Sequence, residues 1–309
     1  MRARTDRGRW TRRAPCALLA AWVLAAPVAA AISVVDDTGA TVALAAPARR
    51  IVSLAPHVTE LLFAAGAGAR IVGAVDFSDY PEAAKSIPRV GSSTLLDMER
   101  IVALKPDLVV VWRSGTTPAR VDALRALGIP IYFDEPHTFA GIARTLVRLG
   151  TLAGTEPEGR RAADALSARA AALRQRYANR RPVSLFWQIW ARPLLTVNRD
   201  HVIGDAIRTC GGINVFADLA PLVPAVSVEA VVAADPEAII TTGDDASAAK
   251  DDGLAQWRAL PRLRATQRGS LITLDAETIH RPSPRVLDGA AALCEQLDAV
   301  RARGAGGTR

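Results

Sequence analysis

The segment EPEGRRAADALSARAAALRQRYA, residues 156–178, decides how this chain is arranged. Ala, Leu, Arg, Gln and Glu dominate it, the residues that give up least rotamer freedom in a helix. Thr155 followed by Glu158 has the T-x-x-E spacing of a capping box, and Pro182 stands just past the far end. Ala162, Leu166, Ala170, Leu173 and Tyr177 recur at steps of three and four, which predicts one narrow apolar face on a charged helix. Such a helix runs roughly 34 Å, the width of a small domain.

A matching pattern lies on either side of it. MERIVALKPDLVVV at 98–111 and VEAVVAADPEAIIT at 228–241 each read as a short amphipathic helix, a proline turn and a buried strand. Glu99 corresponds to Glu229 and Pro106 to Pro236, and the midpoint of the two glutamates falls inside the central helix. The expectation is an α/β protein of two like lobes with mostly parallel sheets, joined by a single long helix, with a ligand cleft between them. Its boundaries are a leader at 1–31, a first lobe at 32–154, the spanning helix at 155–181, a second lobe at 182–303 and a disordered tail at 304–309.

The formal net charge of +7 is concentrated at the start, where residues 1–13 hold six arginines against Asp6. Without them 32 basic residues face 30 acidic ones, and no basic stripe suggests nucleic acid. The run APCALLAAWVLAAPVAAA at 14–31 follows, apolar and ending in small residues, which together with the basic start describes a secretory signal peptide. Cys16 precedes the apolar run, so it is badly placed for lipoprotein processing, and a soluble exported monomer is expected. Cys210 and Cys294 then remain, and an oxidising compartment favours a bridge between them over two buried free thiols.

Strand and helix alternate along both halves. A hairpin is expected at 32–44, strands at 51–56, 71–75, 108–112, 129–133, 183–190, 238–242 and 271–274, and a closing helix at 286–303. Residues 275–285 read as loop, 243–253 as an acidic surface loop, and Gly211-Gly212 as a helix C-cap. In such sheets ligands bind beyond the carboxyl ends of the strands. The loops there carry Phe77, Tyr80, Trp112, Arg113, Trp190, Glu277, His280, Arg281 and Arg285. Trp187 reads as core, while Trp112 and Trp190 suit a cleft wall for a large flat ligand as well as they suit the core. No GxGxxG, Walker, nucleophile-elbow, HExxH or Cys-x-x-Cys spacing occurs, so nothing points to catalysis. The four histidines are scattered at 57, 137, 201 and 280, and His57 and His280 are weak metal candidates because they adjoin strand-end loops.

IVSLAPHVTELLFAAG (51–66), SDYP (78–81), MERIVALKPDLVVVWR (98–113), TCGGINVFAD (209–218), VSVEAVVAADPEAI (226–239) and RPSPR (281–285) occur in one order that resembles a known family. It is the vitamin B12-binding family among the class III, helical-backbone periplasmic binding proteins that feed ABC importers. The resemblance covers about residues 48–300. It implies a periplasmic carrier with no cofactor that holds cobalamin or another corrinoid between its lobes and hands it to a membrane permease. Glu99 and Glu229 match the family's permease-docking glutamates, and Cys210 with Cys294 its disulfide. Phe77, Trp112 and Arg281 match its cleft, Glu277 replaces an aspartate, and Tyr80, Arg113 and Trp190 join them as candidates. Ser93, Val223 and Thr278 stand where the pattern has tryptophans, and Ile189 where it has phenylalanine, with Trp190 one position away. Haem or a ferric siderophore is therefore the alternative ligand, with a role for His57 or His280. An enzyme acting on a tetrapyrrole is the remaining alternative.

Overall fold

The computed structural model describes residues 31–92, 95–243 and 253–305. Residues 1–30 of the expected leader, Ser93, most of the acidic loop and the last four residues of the tail lie outside these residues.

A hairpin of β1 (Ile32–Val35) and β2 (Thr41–Leu44) opens the described chain. Asp36 closes its turn by accepting bonds from the backbone N–H groups of Thr38 and Ala40, the usual work of an Asx residue. The first lobe follows as β3 (Ile51–Ser53), α1 (Pro56–Ala64), β4 (Ile71–Ala74), α2 (Met98–Ala103), β5 (Leu108–Trp112), α3 (Pro118–Ala126), β6 (Ile131–Asp134) and α4 (Phe139–Ala153). Its sheet is parallel in the order β4-β3-β5-β6. Both faces are covered, so the strands are continuous apolar runs: every residue of β3 and the first four of β5 are buried.

The long helix is α5 (Glu156–Tyr177). The expected capping box does not form. Thr155 sits at φ −123°, ψ 36°, away from the extended conformation in which a cap side chain reaches back to its helix. Its hydroxyl instead donates to the Ala65 carbonyl at 2.7 Å, tying the helix to the end of α1, while Glu158 pairs with Arg161. The buried stripe is Gly159, Ala163, Leu166, Ala170 and Tyr177, with Ala162 and Leu173 only half-buried beside it. Gly159 is in the stripe because a Cβ there would lie 2.5 Å from the Leu146 carbonyl oxygen, so α4 and α5 meet backbone to backbone. Gly154, left-handed at φ 66°, turns the chain between them.

The second lobe contains β7 (Val183–Trp187), β8 (Trp190–Ala191), β9 (Leu194–Leu195), α6 (Val202–Thr209), β10 (Gly212–Asn214), α7 (Val228–Ala234) and β11 (Ala238–Gly243). It continues with α8 (Ala255–Arg258), α9 (Arg264–Gln267), β12 (Leu271–Asp275), α10 (Ala276–Ile279) and α11 (Val286–Ala305). Its parallel sheet runs β10-β7-β11-β12. In each lobe the strand that comes first in that sheet lies between the second and the third, so the two sheets share one topology.

The sequence repeat is a structural one. Asp97 accepts from the Arg100 N–H and Ser227 from the Ala230 N–H, capping α2 and α7. Lys105 at φ 46° and Asp235 at φ 41° then end the two helices in left-handed turns, each just before its proline.

Other expectations change as well: the strand expected at 183–190 ends at Trp187, and Trp190 opens the separate strand β8. The stretch 275–285 includes the helical turn α10, started by Asp275, whose side chain accepts the Glu277 N–H. Gly211 does end α6, at φ 69°, but Gly212 opens the edge strand β10. The closing helix runs to Ala305 rather than stopping at 303, because Arg301 holds its last turns by donating to the carbonyls of Arg181 and Cys210. Cys210 and Cys294 are disulfide-bonded with Cα atoms 4.7 Å apart, joining α6 to α11.

The candidate ligand cleft

The carboxyl ends of both sheets point into one space between the lobes. From the first lobe come Trp112 at the end of β5 and Glu135 and His137 just past β6; from the second come Ile189 past β7, His201 capping α6, and His280 after α10. All six line one cavity of about 240 Å³. This is the crevice at strand ends that the parallel-sheet topology provides.

Trp112 is held in place on two sides. Its indole N–H donates to Glu135 Oε1 at 3.3 Å, and the edge of the His57 ring meets it at 5.5 Å and 89°. His57 is buried and bonded through Nε2 to Asp134 at 3.0 Å. Burial raises the pKa of Asp134, with the His57 hydrogen bond opposing it. Glu135 also accepts from the backbone and hydroxyl of Ser114, at 2.7 and 3.0 Å. Burial opposes ionisation of Glu135, but the bonds from His137, Ser114 and Trp112 prevail and hold its carboxyl below the usual range. The Glu135 carboxylate, 3.8 Å from Nε2, in turn raises the pKa of His137. Burial instead pushes His201 and His280 down to about 4, so both are neutral at ordinary pH. His201 Nδ1 accepts the Ile203 N–H at 3.1 Å, and His280 Nε2 lies 3.1 Å from the Thr242 hydroxyl.

The remaining candidates separate. Val223 and Ile189, where the family pattern has aromatic rings, line the same cavity. Trp190 is 62% exposed, with its indole N–H bonded to the Arg192 carbonyl, and Arg113 and Glu277 are exposed. Thr278 donates to the Asp275 carbonyl. Phe77 is 73% exposed at φ 63°, a conformation costly for a bulky residue, so the backbone holds an aromatic ring out to solvent. Trp187 is core, as expected.

Arg281 and Tyr80 belong to a second construction, which sequence reasoning missed. Glu60 in α1 is only 3% exposed. It receives Arg281 Nη1 at 3.0 Å, the Ser283 hydroxyl at 2.6 Å, and Arg285 Nε and Nη2 at 3.0 and 2.6 Å. Arg281 also pairs with Glu277, and the Arg285 guanidinium stacks 4.0 Å from the Tyr80 ring centroid. One buried carboxylate of the first lobe thus binds three side chains of the second. Asp205 of α6 likewise accepts the Phe139 N–H at the start of α4 and pairs with Arg174 of α5. Nothing local in the sequence marks Glu60 or Asp205, since each reads as an acid on a helix.

Two similar α/β lobes that place a crevice at their facing strand ends define a solute-binding protein. The family model described as periplasmic binding protein matches residues 51–278, and the chain belongs to that family. The vitamin B12-binding protein of Vibrio cholerae serotype O1 (strain ATCC 39541) is 35% identical over 251 residues, which is 81% of this chain and 90% of the relative. The crystal structure of the periplasmic vitamin B12-binding protein of Vibrio cholerae superposes with a TM-score of 0.74 at 34% identity, covering 82% of this chain and 98% of that one. The periplasmic heme-binding protein of Roseiflexus sp. RS-1 has a TM-score of 0.71 at 26% identity, covering 82% and 98%. The protein is therefore a periplasmic binding protein of the kind that serves transporters, and the family is not one of enzymes. Among the described residues no helix is long and apolar enough to cross a membrane.

Proposed function

We propose that the protein binds vitamin B12 between its lobes and delivers it to the membrane permease of an ABC importer. The observation that carries this reading is the inter-lobe cavity walled by Trp112, in a chain 35% identical to a protein named for that vitamin. An aromatic wall stacks on a flat conjugated ring, and a binding protein needs no further chemistry. At about 240 Å³ the cavity is smaller than the roughly 300 Å³ minimum of a pocket for a drug-sized ligand. The lobes, residues 32–154 and 182–303, therefore move apart about the helix at 155–181 to admit it. Phe77, Tyr80, Arg113, Trp190, Glu277 and Arg281 are the further contacts proposed for the ligand's rim. Glu99 and Glu229 are both exposed at the starts of α2 and α7, one per lobe, and dock the protein, as a monomer, onto permease cations.

Haem is the second reading, favoured by the histidines of the cavity. Calorimetric titration with cyanocobalamin, haemin and a ferric siderophore separates them. One-to-one cobalamin binding, weakened by about 1–3 kcal/mol in Trp112→Ala, is expected. Binding of haemin with no response to cobalamin would overturn the vitamin reading.

A further inference from the structure

Three of the four histidines, far apart in sequence, meet at the cleft: His137, His201 and His280 line the cavity, while His57 packs against Trp112 with the rings at 89°. Neutral imidazole is a ligand for transition metals, and a fixed hydrogen bond on one ring nitrogen is what orients the other toward a metal. The vitamin is a cobalt complex whose metal has an exchangeable axial position. We propose that His280 supplies an imidazole to the cobalt of the bound corrinoid, a role that rests on the vitamin reading above.

The hydrogen bonds single out His280. His201 uses the lone pair of Nδ1 to accept from the Ile203 N–H, so its proton sits on Nε2 and neither nitrogen is open to a metal. His57 is buried, bonded to Asp134, and does not line the cavity. His137 Nε2 is paired with the Glu135 carboxylate at 3.8 Å, which occupies that nitrogen and raises the pKa of the ring, so a proton competes with a metal there. His280 Nε2 lies 3.1 Å from the Thr242 hydroxyl, where either atom can donate, and among the described residues its Nδ1 has no partner; binding to cobalt selects the tautomer protonated on Nε2. That leaves the Nδ1 lone pair for cobalt. On binding, the cobalt–water bond breaks, the nitrogen–cobalt bond forms, water leaves, and no proton or electron is transferred. Cyanide on the same position blocks the exchange.

The test compares two forms of the vitamin, one with water and one with cyanide on the exchangeable position, by calorimetry and visible spectroscopy. The aquo form is expected to bind at least tenfold more tightly and to shift its absorption bands on binding; the cyano form binds without a shift. His280→Ala and His280→Gln abolish the shift and lower aquo affinity at least tenfold more than cyano affinity, with far-ultraviolet circular dichroism and the melting temperature certifying the fold. His137→Ala keeps the shift. An unshifted spectrum of bound aquo vitamin, or a shift that survives His280→Ala, overturns the assignment and leaves the vitamin reading standing. Failure to bind the cyano form overturns the vitamin reading, and the assignment with it.

Discussion

Replacing Glu60 with Ala tests whether the two lobes are held by one buried carboxylate. The substitution removes four hydrogen bonds and leaves Arg281 and Arg285, whose side chains are 13% and 20% exposed, without their shared counter-charge. Removing one partner of a buried ion pair costs about 3–5 kcal/mol. Arg281 keeps Glu277 and Arg285 keeps the face of Tyr80, which places the loss at the lower end. About 3 kcal/mol corresponds to a fall in Tm of roughly 5 °C for a chain of this size. Thermal unfolding followed by near-ultraviolet circular dichroism reads it. In a cycle with Arg285→Ala the two losses overlap, because each variant breaks the same bonds. A loss below about 1 kcal/mol, or full additivity in the cycle, would refute the reasoning, since a solvated rim pair behaves that way.

Glu99→Ala with Glu229→Ala is expected to leave vitamin affinity unchanged and to reduce uptake in a reconstituted importer; lost affinity would remove the docking role. Reducing Cys210–Cys294, which closes a loop of 84 residues, should destabilise the fold by about 4–5 kcal/mol, measured by urea unfolding with and without reductant; a difference near zero would mean that the open chain keeps its structure. His201 and His280 have folded pKa values of about 4, below the unfolded value of about 6.5. The unfolded chain therefore takes up protons that the folded rings refuse. Stability is full above pH 6.5 and falls as pH drops toward about 4, by up to about 3 kcal/mol for each ring. Unfolding at stepped pH, repeated with His201→Gln, checks this, and an unchanged slope in the variant would contradict it.

The fold was legible because its signals are local. Apolar runs between turn residues marked the buried strands, composition marked α5, and the two helix–proline–strand segments marked the lobes. Where the reading slipped, a tertiary contact had won over a local motif. Thr155 fits a cap by spacing, yet its hydroxyl bonds Ala65, ninety residues away. Gly159, a poor helix former, is in the helix interface because a side chain would strike Leu146.

The cleft was legible only in part. By itself the sequence determined the alternation of strands and helices, the spanning helix, the repeated lobe and the family, since each rests on patterns within a few dozen residues. Tertiary structure alone decided that scattered histidines share one cavity, and that Glu60 holds side chains 221 to 225 positions away. Periodicity records whether a residue is buried, and it carries no record of which distant residue the fold brings against it.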